Sequence, residues 1–305
     1  MRQVNVIITQ SEKGGCGKTT IADAISAGLR AAGRTVLNID ADDGNRGLVR
    51  RTGKSSAQVL AWQTPAQEVD DWLEQNLGDH EVLLIDCGAN LLASRAPLTC
   101  FLDRLVNRVL EHGGVIHPLA IASTNCPGTD RLTRNMRDAF EDYGNVRLIL
   151  NNQDGSNAFE LSPIVLGIKS ATFPHIPGGI MAARLLSARP LIEVLQNPPE
   201  GYTFAMSWIA RIVSGFLKQP IIAEIVGSNA SDLISRLATT SCGPLWFNVK
   251  TLQLASDEAL LANTNVHAAQ QNLRHLSITY DGDSERLAQA ALAWTTAEKA
   301  FYNFV

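Results

Sequence analysis

Residues 13–20 read Lys-Gly-Gly-Cys-Gly-Lys-Thr-Thr, a glycine-rich stretch that ends in a lysine and two threonines. It follows a short β-branched run, residues 4–9, and precedes a segment with helical spacing, residues 19–32, that stops at Gly33. Glycines between a strand and a helix let backbone N–H groups surround a phosphate, and the helix N-terminus adds partial positive charge. The stretch therefore predicts a phosphate-binding loop.

The positions of this loop have distinct expected roles. Lys18 is expected to reach the β- and γ-phosphates, and the Thr19 hydroxyl is expected to hold Mg²⁺. The residues expected to contact the nucleotide are Gly14, Gly15, Cys16, Gly17, Lys18, Thr19 and Thr20. The predicted ligands are ATP and Mg²⁺. The sequence does not decide between ATP and GTP, but the absence of an Asn-Lys-x-Asp string favours ATP.

Strand-like segments alternate with helical segments along the rest of the chain. The strand-like segments cover residues 35–39, 82–85, 115–122 (broken by Pro118), 146–150 and 171–173. The helical segments cover residues 98–110, 130–143 and 205–218. This alternation predicts an α/β fold with a doubly wound, mostly parallel sheet flanked by helices.

A change of pattern at Pro220 predicts a domain boundary. Residues 1–218 are expected to form the nucleotide-binding domain, and residues 219–305 a C-terminal extension that is mixed or mainly helical. Residues 221–226 and 245–249 fit a strand or a helix equally well. A final helix is predicted by Ser284 as its cap and by apolar residues at helical spacing. These residues are Leu287, Ala291, Trp294, Phe301 and Phe304.

Aspartates follow two of the predicted strands. Asp40 and Asp42 follow residues 36–39, and Asp86 follows residues 82–85. Ligands of open α/β sheets bind at the carboxyl ends of the strands, so we expect these carboxylates near the nucleotide. Asp86 ends a hydrophobic strand of the Walker B type and is expected to hold Mg²⁺.

Lys13, at the front of the loop, makes the motif resemble the deviant Walker A motif KGGxGKT[ST] of the ParA/MinD family. The resemblance covers about residues 3–218. It implies an ATP-hydrolysing homodimer with the nucleotide sandwiched between subunits, in which Lys13 reaches the partner's nucleotide. By the same resemblance Asp42 orients the attacking water and Asp40 supports the Mg²⁺ region. Lys13, Lys18 and Asp42 are thus the expected catalytic residues, and Thr19, Asp40 and Asp86 the expected metal ligands.

The resemblance also implies a pocket for the base. Asn151 matches the position of an adenine-contacting asparagine, and Asn152 fits equally well after a shift of one residue. Pro177 lies in an Ile-Pro pair that resembles the loop lining the base. The string Arg189-Pro190-Leu191 resembles a later segment of the family. The family's usual prolines are missing from both switch regions, here Asp43-Gly44-Asn45 and Cys87-Gly88-Ala89.

Three functions are compatible with these residues. The first is a slowly hydrolysing dimeric switch of the partitioning or positioning type, for plasmid or DNA segregation or for conjugation, with an activating partner protein. The second is a non-hydrolysing ATP-bound scaffold of a secretion or polysaccharide-export machine, which the altered switch regions favour. The third is a metabolic P-loop enzyme, against which Lys13 argues, because such enzymes do not need that lysine.

Charge and composition bear on the partners. The net charge is −4 and the pI about 5.9, which argues against a dedicated sequence-specific DNA-binding protein. Non-specific DNA contacts are conceivable through arginines that equally fit a solvated basic face. These arginines are Arg46, Arg50, Arg51, Arg131, Arg134 and Arg137. The final helix has only two basic residues, Arg286 and Lys299, so membrane binding is disfavoured.

Composition and cysteine spacing favour a cytoplasmic globular protein. Hydrophobic residues make up 45% of the chain and charged residues 18%, which excludes extended disorder. The N-terminal apolar run is too brief for a secretory signal. The five cysteines include no Cys-x-x-Cys pair, which disfavours zinc and iron–sulfur sites and favours reduced thiols.

Overall fold

The computed structural model describes most of the first 238 residues and four single positions beyond them. The described residues are 4–11, 13–42, 44–60, 65–76, 78–89, 97–124, 129–140, 145–159, 161, 167–185, 187–199, 202–238, 289, 292, 293 and 296. The predicted segment at residues 245–249 lies outside these ranges. The predicted final helix also lies outside them, apart from the four single positions.

A parallel sheet forms the centre of the described structure. Its strands are β1 (Asn5–Gln10), β2 (Val36–Ala41), β3 (Ala57–Val59), β4 (Val82–Cys87), β5 (Val115–Ser123), β6 (Arg147–Asn151) and β7 (Ser170–Phe173). Their order across the sheet is β3-β2-β4-β1-β5-β6-β7, and every pairing is parallel. The predicted doubly wound α/β fold is therefore confirmed. β3 was not predicted, because three residues are too few to show a hydrophobic period.

Helices connect and cover these strands. They are α1 (Lys18–Ala31), α2 (Gly47–Thr52), α3 (Ala66–Asn76), α4 (Pro97–Glu111), α5 (Thr129–Phe140), α6 (Gly178–Leu185), α7 (Leu191–Gln196), α8 (Thr203–Leu217), α9 (Pro220–Val226) and α10 (Ala230–Ser235). The helices predicted at residues 19–32, 98–110, 130–143 and 205–218 are confirmed as α1, α4, α5 and α8. The segment at residues 221–226, which the sequence left undecided, is helical and begins with Pro220 at its first position.

β5 is continuous through Pro118, so the predicted break in this strand is wrong. On one side of β5, Pro118 lies opposite Ile8 of β1. On the other side the pairing with β6 begins only at Leu119, one residue later. The N–H that proline lacks therefore costs no hydrogen bond to β6, which lets a central strand accept this residue.

The two faces of the sheet differ in what they bury. Val6 and Ile8 of β1 point into a large apolar cluster that includes Ile39, Ile85 and Leu148 of neighbouring strands. The next residue, Thr9, points to the opposite face and pairs in register with Asp86. Successive side chains of a strand point to opposite faces of the sheet. The apolar cluster therefore lies on one face, and these polar side chains lie on the other face, at the carboxyl ends of the strands.

In the described part of the chain, a side chain and not another strand covers the outer edge of β7. The Gln219 carboxamide oxygen accepts a hydrogen bond from the Thr172 backbone N–H at 2.7 Å, and its nitrogen donates to the Thr172 carbonyl at 2.6 Å. Gln219 thereby imitates one residue of an additional strand. Next to it, the rings of Phe173 and Phe216 pack edge to face with centroids 5.0 Å apart.

A buried histidine lies toward the opposite, amino end of the sheet. His117 of β5 is 9% exposed, and its Nδ1 accepts a hydrogen bond from Arg147 Nη1 at 2.9 Å. Arg147 also pairs with Glu224 of α9 at 3.3 Å. Burial first, and then the Arg147 charge, lower the pKa of His117 to about 4. The imidazole is therefore neutral in the folded protein at neutral pH.

Replacement of His117 by asparagine is expected to flatten the dependence of stability on pH between about 6.5 and 4. In this window the unfolded chain binds a proton on His117 and the folded chain does not, so stability falls as the pH falls. The expected loss in the native protein is about 2–3 kcal/mol. Urea unfolding at pH 7, 6, 5 and 4 measures it. The same replacement at His80 is the control, and an unchanged pH profile for His117→Asn would contradict the assignment.

The chain divides into two compact units. The first comprises Met1–His175, Arg189–Ile192 and Val213–Ile234 and contains the whole sheet; the second comprises Ile176–Ala188, Glu193–Ile212 and Ser235–Val305. The predicted boundary at residue 218 stays a prediction. Within the described part of the chain, none of the helices combines the length and the apolar character that crossing a membrane requires.

Candidate nucleotide-binding site

The phosphate-binding loop has the backbone that its glycines predict. Gly15 and Gly17 have φ angles of +78° and +89°, a region that other residues rarely adopt. A Cβ on Gly17 would lie 2.1 Å from Nδ2 of Asn151, so only glycine lets the loop approach that side chain. α1 begins at the next residue, Lys18. The loop therefore ends at a helix N-terminus, as a phosphate site requires.

Lys18 is held inside its own loop. Its side chain is buried, and Nζ donates to Ser11 Oγ at 2.9 Å and approaches the Lys13 carbonyl at 3.5 Å. Ser11 is fully buried and donates its hydroxyl to the same carbonyl at 2.7 Å. The ammonium thus has oxygen partners that phosphate oxygens can join or replace. Sequence reasoning missed Ser11, because a serine two residues before the motif carries no signal of its own.

Asp86 and two threonine hydroxyls form the carboxylate part of the site. Thr19 Oγ1 donates to one oxygen of Asp86 at 2.6 Å, and Thr9 Oγ1 donates to the other at 3.1 Å. Burial raises the pKa of Asp86 to about 6, and these hydrogen bonds and the Lys18 charge oppose the rise. Sequence reasoning also missed Thr9, whose position became apparent only from the register of β1 and β4.

The donor set around Asp86 fits Mg²⁺. In such a site the protein supplies one carboxylate and one hydroxyl as ligands, and phosphate oxygens and water supply the others. Among the described residues there is no group of three or more His, Cys, Asp or Glu that would form an all-protein metal cage. Thr19 and Asp86 therefore satisfy the sequence expectation in position and chemistry, and their role as ligands stays a prediction.

Asp40 has backbone partners for both of its oxygens. Oδ1 accepts the N–H of Asp42 at 3.1 Å, and Oδ2 accepts the N–H of Val49 at 2.9 Å. The residue is fully buried, and burial raises its pKa against the effect of these hydrogen bonds. The carboxylate therefore joins the end of β2 to α2. In this arrangement Asp40 orders the loop after β2, which differs from the predicted role in supporting Mg²⁺.

Replacement of Asp40 by asparagine separates these two roles. An amide offers one acceptor oxygen, so it keeps one backbone hydrogen bond and sets its NH₂ group against the other N–H. If Asp40 orders the loop, we expect a loss of about 1–3 kcal/mol in stability, with the Mg²⁺ concentration for half-maximal nucleotide binding unchanged. Titration of Mg²⁺ against a fluorescent ATP analogue measures this. Asp86→Asn is the comparison, and a Mg²⁺ requirement raised equally by both replacements would contradict the loop-ordering role.

Asp42 lies between the two loops that follow β2 and β4. Its Oδ1 accepts the N–H groups of Gly44 and Asn45 at 3.1 and 3.0 Å. Its carboxyl carbon is 3.4 Å from the place that a Cβ on Gly88 would take. The structure thus brings Asp42 beside the end of the Walker B strand, although these residues are far apart in sequence. Asp43, in the same loop, lies outside the described residues.

α2 packs against the last residues of the phosphate-binding loop. A Cβ on Gly47 would lie 2.9 Å from Thr19 Oγ1, so glycine permits this approach. Arg51 Nη1 donates to Thr20 Oγ1 at 2.7 Å. The sequence suggested Arg51 as a DNA contact, but part of its guanidinium is directed at the loop. α2 is therefore linked to Thr19 and Thr20 by direct contact.

Comparisons with known proteins agree with this geometry. Residues 4–98, from β1 to the start of α4, match a family model described as an AAA domain. The antiactivator FleN of Pseudomonas aeruginosa is 29% identical over 125 residues, which is 41% of this chain and 41% of that protein. The chain thus spans less than half the length of this curated relative. These two similarities support the resemblance to the ParA/MinD family that the loop motif carries.

Solved structures with similar chain traces include two proteins of this type. The MinD cell division protein of Aquifex aeolicus gives a TM-score of 0.44 at 18% identity, over 77% of this chain and 97% of that one. A ParA family ATPase from Chlorobium tepidum TLS gives 0.43 at 14% identity, over 67% and 98%. Both likenesses are too distant to say anything about function.

Asn151 contacts the phosphate-binding loop. Its Nδ2 donates to the Cys16 carbonyl at 2.9 Å, so the side chain supports the loop. Asn152, the alternative, accepts the N–H of Asn157 and shapes the loop after β6. A base-contacting role for Asn151 stays a prediction. Pro177 belongs to the second unit, and its predicted place beside the base is likewise untested.

The Arg189-Pro190-Leu191 string contacts α1. The Leu191 N–H donates to Oδ1 of Asp23, a buried aspartate of α1, at 3.1 Å. Leu191 is the first residue of α7, so this carboxylate satisfies an N–H at the start of that helix. This contact joins the string to α1, and its resemblance to the family segment stays a prediction.

Cys16 and Cys87 differ in state. Cys87, at the end of β4, is buried and free, and burial raises the pKa of its thiol, as expected for an unreactive cysteine. Cys16, in the phosphate-binding loop, is 1% exposed and disulfide-bonded. The expectation of reduced thiols is therefore wrong for Cys16.

Four further residues that the sequence singled out, one in the loop and three in α5, have exposed side chains. The side chain of Lys13 is exposed at the front of the loop. Arg131, Arg134 and Arg137 are exposed on one face of α5, whose other face buries Leu132 and Met136. The three-residue spacing thus produces the single basic face that the sequence predicts.

Proposed function

We propose that this protein is an ATP-binding and slowly ATP-hydrolysing dimeric switch of the partitioning or positioning type. The contrast between the two lysines of the loop carries the proposal. Lys18 is buried and directed at acceptors within its own loop, whereas Lys13, five residues earlier, is exposed. An exposed lysine at the front of a phosphate site is free to approach the nucleotide of a second subunit, where it would offset charge on the phosphates.

Each residue of the site would have one task in hydrolysis. Lys18 would bind the β- and γ-phosphates, and Thr19 and Asp86 would hold Mg²⁺. Bound Mg²⁺ would neutralise charge on the β- and γ-phosphate oxygens. Asp42, beside Gly88, would orient the water that attacks the γ-phosphorus, giving ADP and phosphate. Asp40 would keep Asp42 and α2 in place.

The cargo of such a switch is proposed to be DNA, in segregation of a plasmid or in conjugation, with a partner protein that stimulates hydrolysis. The exposed arginines of α5 support non-specific contact with phosphates. The name of one similar protein, an antiactivator, also supports a partner.

A non-hydrolysing scaffold is the second candidate, and one observation favours it. Oδ1 of Asp42 is occupied by two backbone N–H groups of the loop after β2. A carboxylate held in this way is less available to a water molecule. In that case ATP would fix the dimer without being consumed.

Light scattering of the purified protein with ATP and Mg²⁺ tests the proposal, together with phosphate release with and without plasmid DNA. We expect ATP to produce a dimer, Lys13→Ala to abolish hydrolysis, and Asp42→Ala to trap the dimer with DNA bound. A dimer that never releases phosphate and binds no DNA would replace the switch with the scaffold. A monomer in ATP, unaffected by Lys13→Ala, would refute both.

A further inference from the structure

An exposed strip lies at the edge of the sheet opposite to the edge closed by Gln219. It consists of β3, the outermost strand, and the outer side of α2, and we call it the β3 edge surface. Its exposed side chains include Arg50 and Lys54, and Val59, which is 41% exposed. Among the residues that the structure describes, β3 has a neighbouring strand on one side only. An edge strand of this kind can accept an added strand.

The backbone of β3 directs hydrogen-bonding groups outward. The N–H of Leu60 donates to the Asp40 carbonyl at 3.1 Å, which fixes the groups that face β2. Because alternate residues of a strand direct their N–H and C=O to opposite sides, those of Val59 point away from β2. Val59 thus offers a donor and an acceptor to an incoming extended chain.

The side chain of Val59 lies on the same face of the sheet as α2. Val59 pairs in register with Asp40, and Asp40 accepts the N–H of Val49 in α2. Val59 and the α2 residues Val49 and Arg50 therefore border one surface. Arg50 also donates to the Asn45 side chain, which orders it near this surface.

The charge of this region is one-sided. Residues 44–67 contain three arginines and one lysine and no aspartate or glutamate, in a chain whose net charge is −4. Arg51 is directed at Thr20, which leaves the exposed Arg46, Arg50 and Lys54 at the surface. A field of one sign on an otherwise acidic protein selects for a partner of the opposite charge.

We propose that the β3 edge surface binds an extended, acidic peptide segment of a partner protein as an additional strand beside β3. Backbone hydrogen bonds to Val59 would supply affinity, and carboxylates beside Arg50 and Lys54 would supply specificity. An apolar side chain of the segment would cover Val59. This inference goes beyond the proposed ATPase switch, because it assigns a binding surface outside the nucleotide site.

Two other occupants fit the surface less well. A second copy of this chain, paired edge to edge, would bring the same cations together and repel itself. A nucleic acid would pair with the cations but would leave the outward backbone groups and Val59 unused.

The position of α2 connects this surface to the nucleotide site. α2 touches Thr19 through Gly47 and Thr20 through Arg51. A bound segment that fixes α2 would therefore alter the setting of the loop, and a bound nucleotide would alter the surface. By linkage the two effects are equal in size.

Fluorescence anisotropy with a labelled peptide tests the proposal. The probe is an eight-residue peptide of alternating glutamate and valine, and the control is its counterpart with lysine for glutamate. The full chain without nucleotide is used, so that a failure of the ATPase proposal does not affect the result. We expect binding of the acidic probe only, weakening as salt is raised.

Four variants separate the contributions. The pair Arg50→Glu and Lys54→Glu, made together, should weaken binding at least tenfold, whereas Arg137→Glu on α5 should not. Val59→Pro removes the outward N–H at an edge position that tolerates proline, and it should weaken binding more than Val59→Ala. Circular dichroism confirms that each variant is folded.

Several results would overturn the proposal. They are absence of binding to the native chain, equal binding by the charge-reversed variant, and equal binding of the lysine probe. A labelled DNA duplex that binds with loss at Arg50 and Lys54, while the peptide does not bind, would make the surface a nucleic-acid site. Dimerisation that is lost with Val59→Pro would make it a contact between copies.

Discussion

Replacement of Lys18 by alanine is expected to weaken nucleotide binding by at least about a hundredfold, equivalent to about 2.7 kcal/mol. Lys18 is the buried cation of the loop, and its ammonium already faces two oxygen acceptors at the position where phosphates are expected. Without it, the phosphate charge would be met by backbone N–H groups alone. Isothermal titration calorimetry with ATP and Mg²⁺ measures the loss.

Lys218→Ala is the matched control for this prediction, because Lys218 is exposed at the end of α8. It should bind ATP as the native protein does. The melting temperature of Lys18→Ala without nucleotide should stay within a few degrees of the native value, since only hydrogen bonds inside the loop are lost. An affinity reduced less than threefold would mean that Lys18 does not contact the phosphates.

Replacement of Gly17 by alanine is expected to destabilise the protein by about 2–5 kcal/mol. The change combines two costs: a φ of +89° that L-residues rarely adopt, and a Cβ placed 2.1 Å from Asn151 Nδ2. Relief of the clash requires Asn151 to release the Cys16 carbonyl. Thermal unfolding without nucleotide should therefore show a lower melting temperature, and ATP binding should fall below detection.

The neighbouring glycines provide graded controls. Gly15 has a φ of +78° but no atom within 4 Å of its Cβ position, so Gly15→Ala should show only the conformational cost of about 1–2 kcal/mol. A Cβ on Gly14 would have no atom within 4 Å, and the φ of Gly14 is not positive. Gly14→Ala should therefore leave the stability unchanged within about 0.5 kcal/mol. Equal losses for all three variants would refute this explanation of the loop.

The sequence was sufficient for the fold because its signals are local. A β-branched run, three glycines and a helical segment around Lys18 define the first β–loop–α unit, and the same alternation predicts the remaining long strands. The errors are also local in origin. Pro118 suggested a break in β5, since the sequence does not show that β6 begins one residue later. β3 was too short to detect.

The sequence was enough to name several residues of the candidate site, but not to predict the contacts between them. Lys18, Thr19 and Asp86 could be named as candidates from the sequence, because each stands in a recognised motif position, and their roles stay predictions. Ser11 and Thr9 could not be assigned, because their roles depend on which side chains the sheet register brings together. For Asp40, the sequence shows an acid at the end of a strand but not the N–H of Val49 that occupies it.

The side chain that closes β7 has a practical consequence for fragments of this chain. A fragment ended at residue 218, where the sequence suggests a boundary, would lack Gln219 and the two hydrogen bonds that it makes to Thr172. The outward backbone N–H and C=O groups of β7 would then be free to pair with other copies, so such a fragment should self-associate over time. A fragment that ends after α10 keeps Gln219 over these groups, so this end point is the better choice for isolating the sheet.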